Sequence, residues 1–296
     1  MKEIKDLNIL VIGGSGFIGS HTADILSEKG YNVTILDKKL SPWIKDNQKM
    51  IVGDITNTDT LNNAMKDIDC VYYFAGIADI DEAQSDPYLT IDINILALAK
   101  ALESSIINKV RNFVYASTMY VYSIHGSFYR ASKQAAEIII EAYNENYGMN
   151  YVFLRYGSLY GPRSQTWNGI KGFANQIIKN GYLEYPGDGD EIREYIHVID
   201  AAKLSVKALE KEYMNRAVTI TGQQSIKVSD MFAMIFEIAG KKIDIKYSKK
   251  NRVSSHYGKT PYRYTPKTSM KIIPTEFVDL GQGLLDIVEE IHQQDK

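Results

Sequence analysis

Apolar residues in this chain fall in short continuous runs separated by longer stretches with helical spacing, and the two kinds alternate as far as about residue 157. The first run, residues 7–12 (LNILVI), is interrupted at Gly13. Unbroken apolarity of that length predicts a strand buried on both faces of a parallel sheet. Residues 17–29 carry helical periodicity, and residues 31–36 (YNVTIL) are short and β-branched, so the opening forty residues predict a strand, a helix and a second strand. The alternation goes on with strands over 49–52, 70–74, 112–116 and 151–156, and helices over 58–66, within 86–105 and over 129–147. The pattern predicts an α/β fold built on a doubly wound parallel sheet, whose ligand crevice lies at the carboxyl ends of the strands.

Beyond residue 157 the rhythm changes, because glycine and proline cluster in 157–172 and again in 186–190. Helices are expected over 170–179, 198–210 and 229–239, and short strands near 217–221 and 243–247. The expected organisation is a dinucleotide-binding domain over residues 1–165, completed by parts of 192–222, with a smaller mixed substrate lobe over 166–296 capping the crevice. No internal repeat or low-complexity tract interrupts it.

Charge narrows the function classes. With 34 Lys and Arg against 36 Asp and Glu, the net charge is −2, which argues against a nucleic-acid partner. The basic stretch 241–252 (KKIDIKYSKKNR) holds its charges in two pairs around an alternating apolar segment and is read as a solvated strand edge. No run approaches a membrane span and the N-terminus lacks a signal-peptide apolar region, so a cytoplasmic protein with no membrane partner is expected. Cys70 is the sole cysteine, and the five histidines are scattered, so neither a disulfide framework nor a metal is expected. Composition does offer one lead: 21 tyrosines against nine phenylalanines. Tyrosine can pack, donate a hydrogen bond or move a proton.

The segment 13–19 (GGSGFIG) sets Gly13, Gly16 and Gly19 three apart between a buried strand and a helix. Glycine there permits a tight turn, lets the backbone approach a pyrophosphate and allows close helix packing, while the helix N-terminus favours negative charge. The second strand leads into Asp37, placed to accept hydrogen bonds from both hydroxyls of an adenosine ribose. A carboxylate would repel a 2′-phosphate, so NAD is expected over NADP.

Among the tyrosines, Tyr129 alone has a lysine four residues on, Lys133, in the segment YRASK. On a helix these share a face, and an ammonium beside a phenol favours its ionised form. That matters because an ordinary tyrosine, with pKa about 10, is too weakly acidic to serve as a base at neutral pH. Upstream, the apolar segment 113–118 (FVYAST) finishes in Ser117 and Thr118, hydroxyls at a strand end where such folds place their ligands. Thr118 can hydrogen-bond a reacting oxygen. The plainer alternative for this pair is capping of a turn.

Taken in order, the 13–19 turn, Asp37, Gly53-Asp54-Ile55, Phe74-Ala75-Gly76, Ser117-Thr118, Tyr129 to Lys133, residues 154–163 (LRYGSLYGPR) and residues 193–200 (REYIHVID) resemble the extended short-chain dehydrogenase/reductase family. Within it, the likeness is to nucleotide-sugar epimerases and dehydratases, over residues 7 to about 210. The resemblance implies a Rossmann fold binding NAD through Gly13, Ser15, Gly16, Phe17, Ile18, Gly19 and Asp37, with Asp54 and Ile55 near the adenine and Phe74, Ala75 and Gly76 along the cofactor. It implies catalysis by Thr118, Tyr129 and Lys133, with Lys133 also holding the nicotinamide ribose. Ser117, Met119, Tyr120, Ser158 and Arg193 are the expected contacts to a nucleotide-diphosphate sugar, Arg193 because its fixed fork suits oxyanions. A homodimer is implied too, consistent with apolar residues on more than one face of the 86–105 and 129–147 helices.

Three departures shape the expected reaction. Family dehydratases usually carry Asp-Glu directly after the catalytic hydroxyl, whereas Met119-Tyr120 stand here, so dehydration is not expected. Ser158 replaces a frequent Asn. Only six residues, 123–128, separate Tyr122 from Tyr129, a much shortened connection that implies a more open crevice, or one closed by the C-terminal lobe or another subunit. The expected activity is NAD-dependent oxidation of a sugar hydroxyl, at C4, with net epimerisation. The alternatives are a dehydrogenase that releases the keto sugar and a non-catalytic NAD-sensing protein.

Overall fold

A computed structural model describes residues 7–248 and 258–262, all of which lie in one compact unit, Met1–Tyr264. Its elements in chain order begin with β1 (Asn8–Ile12), α1 (Phe17–Glu28), β2 (Asn32–Asp37), β3 (Gln48–Val52), α2 (Thr58–Ala64), β4 (Cys70–Tyr73), α3 (Ile80–Ser85) and α4 (Pro87–Ile91). A π-helical turn (Asp92–Leu96) leads into α5 (Ala97–Ile107), β5 (Asn112–Thr118), a 3₁₀ turn (Met119–Tyr122), α6 (Ser127–Tyr147), β6 (Asn150–Tyr156) and β7 (Ser158–Tyr160). The remainder comprises α7 (Gly169–Asn180), β8 (Leu183–Tyr185), β9 (Ile192–His197), α8 (Val198–Lys207), β10 (Arg216–Ile220), β11 (Ser225–Lys227), α9 (Val228–Ile238) and β12 (Ile245–Tyr247).

Seven strands form one sheet in the order β10-β6-β5-β4-β1-β2-β3, every pair parallel. The doubly wound sheet expected from the sequence is present. Its central strands are apolar throughout because alternate residues enter different cores. Leu10, Ile12, Val71, Tyr73, Phe113 and Tyr115 pack on one face of the sheet, and Ile9, Val11, Cys70, Tyr72, Val114 and Ala116 on the other. The tyrosine surplus is spent largely here: Tyr72, Tyr73 and Tyr115 are fully buried, and burial pushes all three phenols above their ordinary pKa.

Two features of the winding set the site. The chain runs β1 to β2 to β3 on one side of β1, then returns to place β4 on the other, which opens a crevice at the carboxyl ends of β1 and β4. A late strand, β10, pairs with β6 and closes the far edge, while α8 packs against α1. The smaller elements have their own core, in which Phe232 and Phe236 of α9 meet Ile177, Leu183 and Tyr185.

The elements differ from the sequence pattern in a few places. The helix expected within 86–105 is a succession of α4, a π-helical turn and α5, and the buried side chain of Asn94 lies in that turn. Strands β7, β8, β9 and β11 carry no run long enough to show periodicity, and they pair as two small sheets, β11-β9-β7 and β12-β8. Within the basic 241–252 stretch, Ile245–Tyr247 does form a strand, paired with β8; residues 249–252 lie outside the described residues, as does all of the expected lobe beyond 262. Among the described residues no helix is long and apolar enough to cross a membrane, and no group of three or more His, Cys, Asp or Glu could hold a metal ion.

Candidate active site

A cleft of about 500 Å³ opens at the carboxyl end of the sheet. It begins at the glycine turn. Gly13 has φ +83° and its N–H donates to Leu36 O at 2.8 Å; a Cβ there would stand 2.6 Å from the Ala75 nitrogen. Gly19 brings α1 against the turn so closely that a Cβ would meet Gly13 O at 2.3 Å. Helix α1 starts at Gly16 with no side-chain cap and no acid in its first turn, so its first N–H groups are left for a ligand. A glycine cradle over an uncapped helix N-terminus fits the pyrophosphate of a dinucleotide. Gly19→Ala is expected to weaken NAD binding about tenfold or more, the cost of overpacking a site that cannot give. A fluorescence titration with NAD checks this, and unchanged affinity would show that the close approach is dispensable.

Asp37, at the end of β2, accepts the Ser15 N–H on Oδ2 at 3.0 Å and the Lys39 N–H on Oδ1 at 3.2 Å. The acid is thereby held at the rim of the cleft it lines. Nearby, Asp54 accepts from the Thr56 N–H and hydroxyl at 2.9 and 2.8 Å and pairs with Lys38 at 3.2 Å; the Thr56 backbone bond, more than any other contact, lowers its pKa. Lys38 is thus paired with an acid, at an exposed position where such a pair is weak. Asp37→Ala should shift relative affinity toward NADP by about tenfold or more, since like charges in contact cost several kcal/mol. Parallel titrations with both cofactors measure it; an unaltered ratio would remove Asp37 from the ribose.

On the other side of the switch point, Thr118 closes β5, 5% exposed, and its Oγ1 accepts the Tyr120 N–H at 3.3 Å. Thr118 therefore does cap the 3₁₀ turn, but with a lone pair, which leaves its hydroxyl proton as a donor. Helix α6 brings Tyr129 and Lys133 to the same cleft. Lys133 is almost fully buried; its Nζ donates to Ala116 O at 2.8 Å and stands 4.8 Å from the Tyr115 ring centroid and 6.0 Å from that of Tyr129. Burial lowers its pKa from 10.5 to about 8, with the carboxylate of Glu137 acting in the opposite direction.

Of the residues singled out in the sequence, Gly13, Gly16, Phe17, Ile18, Gly19, Asp37, Asp54, Ile55, Phe74, Ala75, Gly76, Ser117, Thr118, Tyr129 and Lys133 line this one cleft. Ser15 stands behind it and acts on Asp37. Met119 is a correction: it is fully buried, turned into the core by the 3₁₀ turn, and offers no surface to a ligand. Tyr120 is also buried and outside the lining, and packs edge-on against Tyr129 with ring centroids 5.9 Å apart. Ser158 is outside the lining as well, although its neighbours Gly157 and Leu159 belong to it. Arg193 lies on β9, in register with Ile226, and is not among the lining residues.

One buried residue behind the site and one group lining it escaped the sequence reading. Asn94 accepts the Ile77 N–H at 2.7 Å and donates to Ile77 O and Ser132 Oγ, both at 3.0 Å, tying the strand-end loop after β4 to α6. A π-helical turn leaves no mark in apolar spacing. Gln165, Trp167 and Asn168 line the cleft from the segment before α7, where glycine-rich sequence gave no chemical signal.

A doubly wound parallel sheet with a glycine turn after its first strand, an acid ending its second and a tyrosine-lysine pair at the strand ends defines an enzyme of the extended short-chain dehydrogenase/reductase type. Residues 9–220 match the NAD dependent epimerase/dehydratase family, and the chain belongs to that family, whose cofactor is NAD. It is 31% identical over 264 residues to a putative UDP-glucose 4-epimerase of Methanocaldococcus jannaschii, covering 81% of this chain and 85% of that one. Among solved structures it is similar to UDP-glucose 4-epimerase from Thermotoga maritima with UDP-glucose, at TM-score 0.78 and 27% identity, covering 88% of this chain and 90% of the other. It is also similar to UDP-glucuronic acid 4-epimerase from Bacillus cereus with UDP-glucuronic acid and NAD, at TM-score 0.80 and 26% identity, covering 89% and 95%.

Proposed function

We propose that the protein is a nucleotide-sugar 4-epimerase, acting on a uridine diphosphate sugar. The observation that carries this reading is the meeting of Thr118, Tyr129 and Lys133 in one cleft with the glycine turn and Asp37. NAD, when bound, supplies a reversible acceptor for the hydrogen on the sugar carbon. The Tyr129 phenolate removes the hydroxyl proton from O4, Thr118 steadies that oxygen by donating its own hydroxyl proton, and the Lys133 charge favours the phenolate. When the sugar turns over within the site, the hydrogen taken from the carbon would return to its opposite face while Tyr129 gives the proton back to O4, so no cofactor would be consumed. Elimination of water is not supported, because Met119 and Tyr120 are buried and neither carries a carboxyl group. The uridine carrier is supported by the three similar proteins described above, each named for a UDP sugar.

The shortened connection between Tyr122 and Tyr129 supports one competing outcome, release of the 4-keto sugar. Incubating the protein with a panel of nucleotide sugars, while following absorbance at the reduced-nicotinamide band and product stereochemistry, separates the two. Inverted product without accumulating NADH is expected. Stoichiometric NADH with a keto product would make the protein a dehydrogenase, and no turnover of any sugar would overturn the reading. A homodimer belongs to the same proposal: Tyr88 of α4, Leu96 of the π-helical turn and Ile138 of α6 are 82%, 51% and 66% exposed. Light scattering on the eluting protein should give twice the chain mass.

A further inference from the structure

One turn beyond Lys133, on the same face of α6, stands Glu137, 7% exposed. Arg155 of β6 donates Nε to its Oε1 at 2.9 Å and Nη2 to its Oε2 at 2.5 Å, and Ser117 of β5 donates its hydroxyl to Oε1 at 2.5 Å. Arg155 also donates Nη1 to the Tyr122 hydroxyl, and its guanidinium carbon stands over that ring, 4.7 Å from the centroid. Three elements and the 3₁₀ turn are thus tied through one carboxylate.

Stability alone does not account for this arrangement. A buried ion pair rarely improves on well-packed apolar residues, and α6 already has such packing through Ala136 and Ile140. What the pair adds is direction. Two N–H bonds in a fixed fork and a third bond from a hydroxyl set both the rotation and the axial position of the helix, whereas apolar contact leaves both looser. Tyr129, Lys133 and Glu137 recur every four residues along one stripe, so whatever fixes Glu137 fixes the phenol and the amine. The strand-end partner is Ser117, the residue next to Thr118.

We infer that Glu137 is a positioning residue: by gripping Ser117 and Arg155 it keeps the Tyr129 and Lys133 stripe of α6 in register with the Thr118 strand end. Ser117 accordingly serves the clamp, not the sugar. The inference rests on the proposed function, since it concerns how the same reacting groups are aligned.

The test is steady-state kinetics of Glu137→Gln, Ser117→Ala and the double variant with whichever nucleotide sugar the wild type turns over, alongside NAD titration and thermal melting. A misalignment near 1 Å lowers kcat by roughly 100-fold, so Glu137→Gln should lose between about 10- and 100-fold in kcat, with KM and NAD affinity within about twofold. Ser117→Ala, which leaves the ion pair intact and folds even if removal of the carboxylate does not, should lose kcat at unchanged KM. The double variant should be no slower than Glu137→Gln alone, because both act through one contact. Wild-type kcat in a folded Glu137→Gln or in Ser117→Ala overturns the inference. So does a rise in KM for Ser117→Ala, which would make it a substrate contact, or a loss of rate that only follows lost NAD binding or melting. A wild type that turns over no nucleotide sugar sinks the proposed function, and the inference with it; an active wild type with indifferent variants sinks the inference alone.

Discussion

Replacing Tyr129 with phenylalanine is expected to lower kcat by about 10²- to 10⁴-fold, the usual contribution of a positioned acid-base group, while leaving NAD binding unchanged. The expectation follows from elimination among the tyrosines. Tyr72, Tyr73 and Tyr115 are sealed in the sheet with their phenols pushed up by burial. Tyr156 also lines the cleft, but its hydroxyl is 2.5 Å from Ser205 Oγ on the far side and its phenol is likewise pushed up by burial. Tyr120 packs its ring on Tyr129. Among the described residues only Tyr129 joins the cleft to a lysine one turn away. Phenylalanine keeps the ring and that edge contact, so the fold should be unaffected. Turnover and NAD affinity measured on one preparation decide the matter; a rate within a few-fold of wild type would end the mechanism.

Lys133→Met should lower kcat by about 10²- to 10³-fold, the range for losing one preorganised electrostatic group, and should alter stability in the opposite sense. Burial lowers the folded pKa of Lys133 from 10.5 to about 8, so between those values the unfolded chain holds a proton that the folded chain has released. Stability therefore rises with pH across that window, and at neutral pH the buried charge costs roughly 3 kcal/mol by the conversion of about 1.4 kcal/mol for each pH unit. Methionine fills the same space without the charge. Chemical denaturation at pH 7.5 and pH 10 should show the wild type gaining stability that the variant lacks. Equal pH dependence in both would mean that Lys133 is not charged at a cost in the fold. On the proposed mechanism activity is traded against stability, since the ammonium that burdens the folded chain is the group that would favour the phenolate.

Much of the cleft was legible because its chemistry is local in sequence. Gly13, Gly16 and Gly19 lie within a single turn, Asp37 directly ends the second strand, and Tyr129 and Lys133 are one helical turn apart, so element type and spacing suffice to bring them together. The substrate side was less legible. Met119 and Tyr120 follow Thr118 directly, yet the 3₁₀ turn carries both into the protein. Ser158 sits between two lining residues yet does not itself line the cleft. Asn94 was hidden within what reads as continuous helix. Glu137 continues the four-residue spacing of Tyr129 and Lys133, a signal open to the sequence, but its partners Ser117 and Arg155 are 20 and 18 residues away.

By itself the sequence determined the doubly wound sheet, the glycine turn and the tyrosine-lysine pair of α6, because each depends on periodicity or on spacing within one element. Only the tertiary structure decided which hydroxyls stay open to the cleft and which are claimed by the protein: Ser117 bonded to Glu137, Tyr156 to Ser205, Thr118 capping a turn with its proton left to give. Burial and hydrogen-bond partners belong to elements distant in the chain, and a linear pattern carries no record of them until the strands are placed side by side.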